Sequence, residues 1–335
     1  MSEIFDRALA AHRRGDYETA LRDYAAVHPL KHARQNLGSM LREIGRLDEA
    51  ERVLRSVLDA YPDDAPGRYS LAMTLLAQER YAEGWPLHEA RRNPPLNVAP
   101  NPEGDAPEWL GEDLNGRRIV VCAEQGYGDQ MMFARYLPWL QAQGAEVVVG
   151  CNALMRPLFA GLGFAVAPYS PMNARLPACD AWILMGSLPL RLGSQPPPPP
   201  LALAPRGSGG GIGVVPAGNP QHQFDRYRSL DGRQAERLSA FGRDLRPEAT
   251  GARDFKESAE LYAGLDLVIT VDTSSAHLAA SIGVPTWILI PDAGADWRWQ
   301  RERLDSPWYP SARLFRQPKR GDWDSVLDEV EAALR

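Results

Sequence analysis

Through the first ninety residues the apolar positions recur three and four apart with polar residues between them, the spacing of one face of a helix. Leu37, Met40, Leu41 and Ile44 form one such stripe, and Ala50, Val53, Leu54 and Val57 form another. From residue 118 onward the pattern changes to short apolar runs separated by longer mixed stretches. The runs at 118–123, 146–149, 182–185, 212–215, 267–271 and 286–290 have the length and composition of strands buried in parallel sheets. Between the first two lie a glycine-bearing turn, 124–129, and a helix predicted over 130–143 that Gly144 closes. Strand, helix and strand of these lengths predict a right-handed βαβ unit. Between the last two runs, Ala276, Leu278, Ala279 and Ile282 mark the inner side of a second helix, ended by Gly283 and Pro285. A final amphipathic helix is predicted at 323–334 through Val326, Leu327, Val330 and Leu334.

The helical region repeats itself. Gly15-Asp16-Tyr17-Glu18-Thr19-Ala20 recurs as Gly45-Arg46-Leu47-Asp48-Glu49-Ala50, then in altered form as Glu79-Arg80-Tyr81-Ala82-Glu83-Gly84, at intervals of 30 and 34 residues. Small residues at Ala20, Ala50 and Gly84 allow paired helices to approach closely, and Pro29 and Pro62 end the second helices of the first two units. This pattern resembles the tetratricopeptide repeat, a helix–turn–helix of 34 residues. The shorter first interval predicts a second helix one turn short. Such arrays present a concave face to a peptide or protein partner. The alternative is a helical extension that stabilises its neighbour or a homo-oligomer.

Composition narrows the class. The chain has 335 residues, 44% hydrophobic and 24% charged, ordinary for a globular protein of two or three domains. A net charge of −6 argues against a nucleic-acid or membrane-surface partner. Cys122, Cys151 and Cys179 stand 28 or more residues apart, neither a metal-ligand spacing nor a disulfide framework, so buried thiols in a reducing compartment are expected. No membrane span or signal segment is read, and the expected location is cytoplasmic. Punctuation then sets the domains: 1–92 helical repeats, 93–106 a proline-rich linker, and 107–195 a first Rossmann-like domain. A proline- and glycine-rich hinge at 196–211, a second Rossmann-like domain at 212–320 and the terminal helix at 321–335 complete the chain.

The most informative stretch is Asp272-Thr273-Ser274-Ser275-Ala276-His277, the passage from a strand into a helix. Hydroxyls and backbone N–H groups at a helix N-terminus, just beyond a parallel strand, form a phosphate site. Asp272 or Ser274 capping the helix explains the same residues without a ligand. Two domains joined by a hinge place such a site in a cleft at the strands' carboxyl ends.

Around it stand Ala217-Gly218-Asn219-Pro220, the basic loop Arg226-Tyr227-Arg228-Ser229, and Asp254-Phe255 before a helix. The first domain carries Gly128-Asp129 followed by Tyr136-Leu137-Pro138. In this order the motifs resemble the heptosyltransferase-like glycosyltransferases (family 9), inverting enzymes of the GT-B fold. The stretch from Asp296-Trp297-Arg298-Trp299 to Asp305-Ser306-Pro307-Trp308-Tyr309-Pro310 is similar to the branch fused to tetratricopeptide repeats.

The resemblance implies a metal-independent transfer of a hexosyl or heptosyl group from a nucleoside-diphosphate sugar to a protein or glycan acceptor, with no cofactor. It makes Asp129 the base that takes the acceptor's proton; the alternative is a helix cap. Thr273, Ser274 and Ser275 would meet the donor diphosphate, with Arg228 or Arg226 as the cation where the family commonly has lysine. Gly128, Gln130, Asn219, His222, Asp272 and His277 are expected to line the donor and acceptor cleft, His277 in a structural or supporting role. Trp297, Trp299, Trp308 and Tyr309 are expected to pack rather than stack on a base or sugar. Two departures stand out: Pro216 where a large aromatic is usual before Ala-Gly-Asn, and a short 231–254 segment with one degenerate strand near Asp244-Leu245. They leave room for a second reading, a non-catalytic scaffold whose repeats bind a protein partner.

Overall fold

The computed structural model describes residues 2–28, 30–170, 175–193, 200–222 and 224–335. Prolines 196–199 of the expected hinge, and Pro29, lie outside them. The chain divides into two compact units, one of Met1–Val98 with Ala293–Arg301, the other of Ala99–Asp292 with Glu302–Arg335.

The first unit is built from α1 (Ser2–Arg14), α2 (Tyr17–Ala26), α3 (Lys31–Glu43), α4 (Leu47–Ala60), α5 (Ala65–Ala77) and α6 (Tyr81–His88). Consecutive helices pair as three hairpins, and each short turn needs one residue in the left-handed region. Gly15 (φ 77°) and Gly45 (φ 78°) supply it in the first two hairpins, and Glu79 (φ 60°) in the third, at a steric cost glycine avoids. α2 has 10 residues against 14 in α4, a difference of about one turn. Small residues set the spacing: a Cβ on Gly84 would stand 2.8 Å from Leu76 Cδ2, and Ala20 and Ala50 are wholly buried.

Glu43, at the end of α3, is buried among polar partners. Its carboxylate meets His12 Nε2 at 3.0 Å and accepts from the Tyr17 hydroxyl. Burial alone would raise this carboxyl, but the hydrogen bonds from His12 and Tyr17 outweigh it and hold it below the ordinary range.

Residues Ala293–Arg301 complete this unit. Gly294 N–H donates to the Glu43 carbonyl at 3.0 Å, and Arg301 reaches the same oxygen at 3.2 Å. Gln300 Nε2 donates to the Tyr81 hydroxyl at 3.2 Å, and the Trp297 ring meets Trp85 edge-on at 5.6 Å. The sequence boundary 212–320 assigns this stretch wholly to the second Rossmann-like domain, whereas it belongs to the first unit. The physical reason is Trp297, only 4% exposed, whose apolar surface is covered by Tyr81 and Trp85.

The second unit holds two parallel sheets. Its first part runs β1 (Arg118–Cys122), α7 (Tyr127–Phe133), α8 (Leu137–Ala142), β2 (Glu146–Cys151), α9 (Arg156–Gly161), β3 (Ala165–Pro168), β4 (Ala181–Leu184) and α10 (Leu188–Leu192). Its second part runs β5 (Ile212–Val215), α11 (Asp225–Arg228), α12 (Gly232–Ser239), β6 (Arg243–Asp244), α13 (Pro247–Thr250), α14 (Phe255–Ala263) and β7 (Leu267–Val271). It closes with α15 (Ser274–Ile282), β8 (Thr286–Ile290), β9 (Ala312–Arg316) and α16 (Trp323–Leu334). The strand orders are β3-β2-β1-β4 and β6-β5-β7-β8-β9, with every neighbouring pair parallel.

Both orders reverse direction once. In the first sheet the chain winds outward from β1 through β2 to β3, then returns to place β4 on the other side of β1. In the second it steps from β5 to β6, then returns to β7. Each reversal opens a crevice at the strands' carboxyl ends, between β1 and β4 and between β5 and β7. The helix expected at 130–143 is two: α7 starts three residues earlier, and Pro138 opens the first turn of α8 after a single 3₁₀ turn at Ala134–Tyr136. The terminal helix expected at 323–334 is α16, and its Trp323, Val326, Leu327 and Val330 join the core over β5, β7 and β8.

Candidate functional site

Two loops leave the second sheet at its crevice. From β5 the chain passes through Ala217-Gly218-Asn219, and from β7 through Asp272-Thr273 into α15. They meet. A Cβ added to Gly218 would stand 2.6 Å from Asp225 Oδ1, 2.9 Å from Thr273 Cγ2 and 3.0 Å from an Arg228 guanidinium nitrogen. Only a glycine lets these three groups close on the loop. Gly218 N–H donates to Ser229 Oγ at 2.8 Å, and that hydroxyl donates to Asp225 at 2.9 Å.

Arg228 is the cation of this crevice. It donates to the Asp272 carbonyl at 2.6 Å and pairs with Asp225 at 3.2 Å. Arg226 is not brought there. It is exposed and lies over the Tyr227 ring, because residues two apart on the single turn of α11 point to opposite sides. The cap of α15 also differs from expectation. Thr273, not Asp272 or Ser274, holds the N-cap position, its Oγ1 accepting from Ser275 N–H at 3.3 Å. Ser275 Oγ in turn accepts from the Tyr262 hydroxyl at 3.0 Å. Burial pushes that phenol up to about 12, with the Ser275 contact opposing. Asp272 is buried, whereas Asn219 and His222 are exposed and bond within their own loop, to Gln221 N–H and Phe224 N–H.

The first sheet's crevice carries the other motif. Glu124 follows β1, buried, and its carboxylate accepts from Gly186 N–H beyond β4 at 2.7 Å, bridging the two strand ends. Asp129 is the third residue of α7 rather than the residue before a helix. Its carboxylate accepts from Gly126 N–H at 3.0 Å, which fixes it at the open end of the helix while leaving it half-buried. Gln130 is buried, and among the described residues its Oε1 has no hydrogen-bond partner.

The helices that follow the two crevices, α7 and α15, pack against each other. Gly128 lies against the His277 ring, so closely that a Cβ there would stand 2.4 Å from its Cδ2 and 2.9 Å from its Nε2. A second contact lies to one side, Tyr127 against Phe255 at 4.8 Å between ring centres. His277 is buried, with Nδ1 at 2.8 Å from the Tyr309 hydroxyl. Trp308 and Tyr309 are buried beside Arg135, and Trp297 and Trp299 are buried in the first unit, so all four pack. Sequence reading missed Glu124, Arg135, Asp225 and Tyr262; Glu124, Arg135 and Tyr262 meet Gly186, Trp308 and Ser275 only through the fold, and Asp225 meets Arg228 within α11.

Among the described residues no three His, Cys, Asp or Glu side chains group as a metal site would require, and no helix is long and apolar enough to cross a membrane. All three cysteines are free. Cys122 and Cys151 are buried and Cys179 half-buried, and burial pushes the Cys151 thiol up to about 12 and the Cys122 thiol higher.

No family model matches the chain. It is 28% identical to Protein FlbA of Caulobacter vibrioides over an alignment of 375 positions that takes in 92% of this chain and 61% of that protein. The chain therefore spans less than two thirds of that relative's length. Among solved structures it is similar to the iron-containing dodecameric glycosyltransferase TibC from enterotoxigenic E. coli H10407, at 11% identity and a TM-score of 0.41, covering 66% of this chain and 78% of that one. It is also similar to a mutant Thermobaculum terrenum O-GlcNAc transferase, at 16% identity and a TM-score of 0.26, covering 88% and 83%. Neither score is high enough to establish a shared fold.

Proposed function

We propose that the second unit is a metal-independent inverting glycosyltransferase of GT-B type, acting on a nucleoside-diphosphate sugar, and that the first is a tetratricopeptide-repeat domain. The observation that supports this reading is the contact between the helices that follow the two crevices, with Gly128 of α7 against the His277 ring of α15. One supplies a carboxylate and the other an anion-binding helix end, the two groups that glycosyl transfer requires.

The acceptor hydroxyl gives its proton to Asp129 as its oxygen bonds to the anomeric carbon from the face opposite the leaving group. The bond from that carbon to the diphosphate oxygen breaks, and its electron pair leaves on the diphosphate. The hydroxyls of Thr273 and Ser274, the N-terminal turn of α15 and the Arg228 guanidinium stabilise that charge. A protein or glycan acceptor is recognised in part by the helical repeats.

Calorimetry against a panel of nucleoside diphosphates, followed by transfer assays with D129A, tests the reading. Binding with transfer lost by roughly 10²–10⁴-fold in D129A is expected; undiminished turnover in that variant removes Asp129 as the base. One observation favours the scaffold as a second reading: Arg228 is already committed to Asp225 and to the Asp272 carbonyl. Failure of every nucleoside diphosphate to bind selects it.

A further inference from the structure

The Asp254-Phe255 pair opens α14 and takes no part in the chemistry above. N–H groups at a helix start have no partner within the helix and must find one outside it. In α14 the Lys256 and Glu257 N–H groups donate to Asp254 Oδ1, each at 2.9 Å. The Phe255 N–H goes elsewhere. It donates at 3.2 Å to the Leu154 carbonyl, in the loop that leaves β2 of the first sheet.

The Phe255 side chain reaches the same part of the unit. Its ring lies against Tyr127, with centres 4.8 Å apart and planes tilted by 54°, and both residues are half-buried. Tyr127 is the first residue of α7. On one side of it stands Gly126, whose N–H holds the Asp129 carboxylate, and on the other Gly128, which lies against the His277 ring. The Tyr127 hydroxyl accepts from Asn152 Nδ2 at 3.3 Å, and Asn152 Oδ1 accepts from the Leu154 and Met155 N–H groups at 3.1 and 3.2 Å. The contacts close on themselves, from Tyr127 to Asn152, Leu154, Phe255 and back to Tyr127. Two successive residues of the Asp129 turn, Tyr127 and Gly128, therefore rest on α14 and α15, the helices that flank β7 in the second sheet.

We propose that Phe255 is a positioning residue: its ring ties the first turn of α7 to α14 and so sets where Asp129 stands. Asp254 serves it by fixing the helix start from which the ring projects. The consequence for turnover rests on the glycosyl-transfer reading; the tie between α7 and α14 does not. A carboxylate that must come within hydrogen-bond reach of an acceptor hydroxyl is sensitive to such placement, since a displacement of about 1 Å can cost 10²-fold in rate.

Hydrogen exchange of the full chain measures the tie without any substrate. F255A leaves the bond to Leu154, which the backbone makes, and removes the ring contact. The Gly126 and Gln130 amides should then exchange roughly two- to tenfold faster, the loss of one aromatic pair, while the amides of β1 keep their wild-type rates. F255L, which keeps apolar bulk against Tyr127, should restore most of the protection. F255A added to Y127A should speed exchange at Gln130 no further, because both remove the same contact. Unchanged exchange at Gly126 and Gln130 in F255A, an equal rise throughout the chain, or additive effects of the two variants overturn the proposal. If transfer is observed, F255A should lower kcat about tenfold with KM for the donor unchanged, and F255L should recover it. Loss confined to KM counts against the proposal. If the wild type transfers nothing while exchange responds as expected, the tie stands and the glycosyl-transfer reading fails.

Discussion

Replacing Gly128 with alanine puts the junction of the two crevices under a defined strain. The added Cβ would stand 2.4 Å from Cδ2, 2.9 Å from Nε2 and 3.2 Å from Cγ of His277. Carbon contacts become favourable at about 3.5 Å, so the ring must retreat by roughly 1 Å. It has little room to do so, being 4% exposed and tied through Nδ1 to Tyr309. Overpacking of this kind costs about 1–3 kcal/mol, and exchanging glycine for alanine in a helix returns up to about 1 kcal/mol. The net loss is about 1–2 kcal/mol, which in a unit of this size lowers Tm by roughly 2–8 °C. Differential scanning calorimetry of the full chain measures it, with G161A as the matched control. There the new Cβ meets only the far carbons of the Lys256 chain, the nearest at 3.4 Å, so Tm should hold or rise. The decisive comparison is G128A introduced into H277A, where the penalty should vanish because the obstructing ring is gone. G128A melting with the wild type, or losing as much in H277A as in the native background, refutes the packing argument.

Two further outcomes follow from local geometry. T273A removes the cap of α15 and should destabilise the second unit by about 1 kcal/mol, with T273S close to wild type; equal unfolding midpoints for T273A and T273S would show that the hydroxyl does no capping. In the first unit, the His12 and Tyr17 hydrogen bonds hold the Glu43 carboxyl below its ordinary value despite the opposing effect of burial. A depressed folded-state value means stability that is present above the unfolded pKa of about 4.3 and lost as pH falls through the folded value. Urea midpoints from pH 7 to pH 3 should therefore fall more steeply in the wild type than in E43Q, and parallel acid limbs would contradict the assignment.

What the sequence made legible is what depends on neighbours along the chain. Strands such as Leu267–Val271 and Thr286–Ile290 announce themselves because a strand covered on both faces must be apolar throughout. The helix between them is read because Gly283 takes the left-handed conformation that ends it, at φ 82°. The degenerate strand read at Asp244-Leu245 is the two-residue β6. The start of α7 was missed because its cap is Gly126, which has no side chain to signal the role, and Asp129 reaches back to it from inside the helix. Arg226 and Arg228 look equivalent in a list of basic residues; only the turn between them sends one to the Asp272 carbonyl and the other to solvent. Arg135 stays invisible in the sequence because its meaning lies in a tryptophan 173 positions away, and Tyr309, read there only as a packing residue, meets its histidine across 32 positions.

The stretch Ala293–Arg301 gives the first unit a history as well as a shape. Helices α1 to α6 are synthesised before the second unit, and the residues that cover Tyr81 and Trp85 follow only after the whole of Ala99–Asp292. At synthesis rates of about 5–20 residues per second the wait is roughly 10–40 s, far longer than helices need to form. During that interval the nascent helical array carries an uncovered aromatic face. Its last step of assembly is the arrival of Trp297, which reports that β8 has already been made.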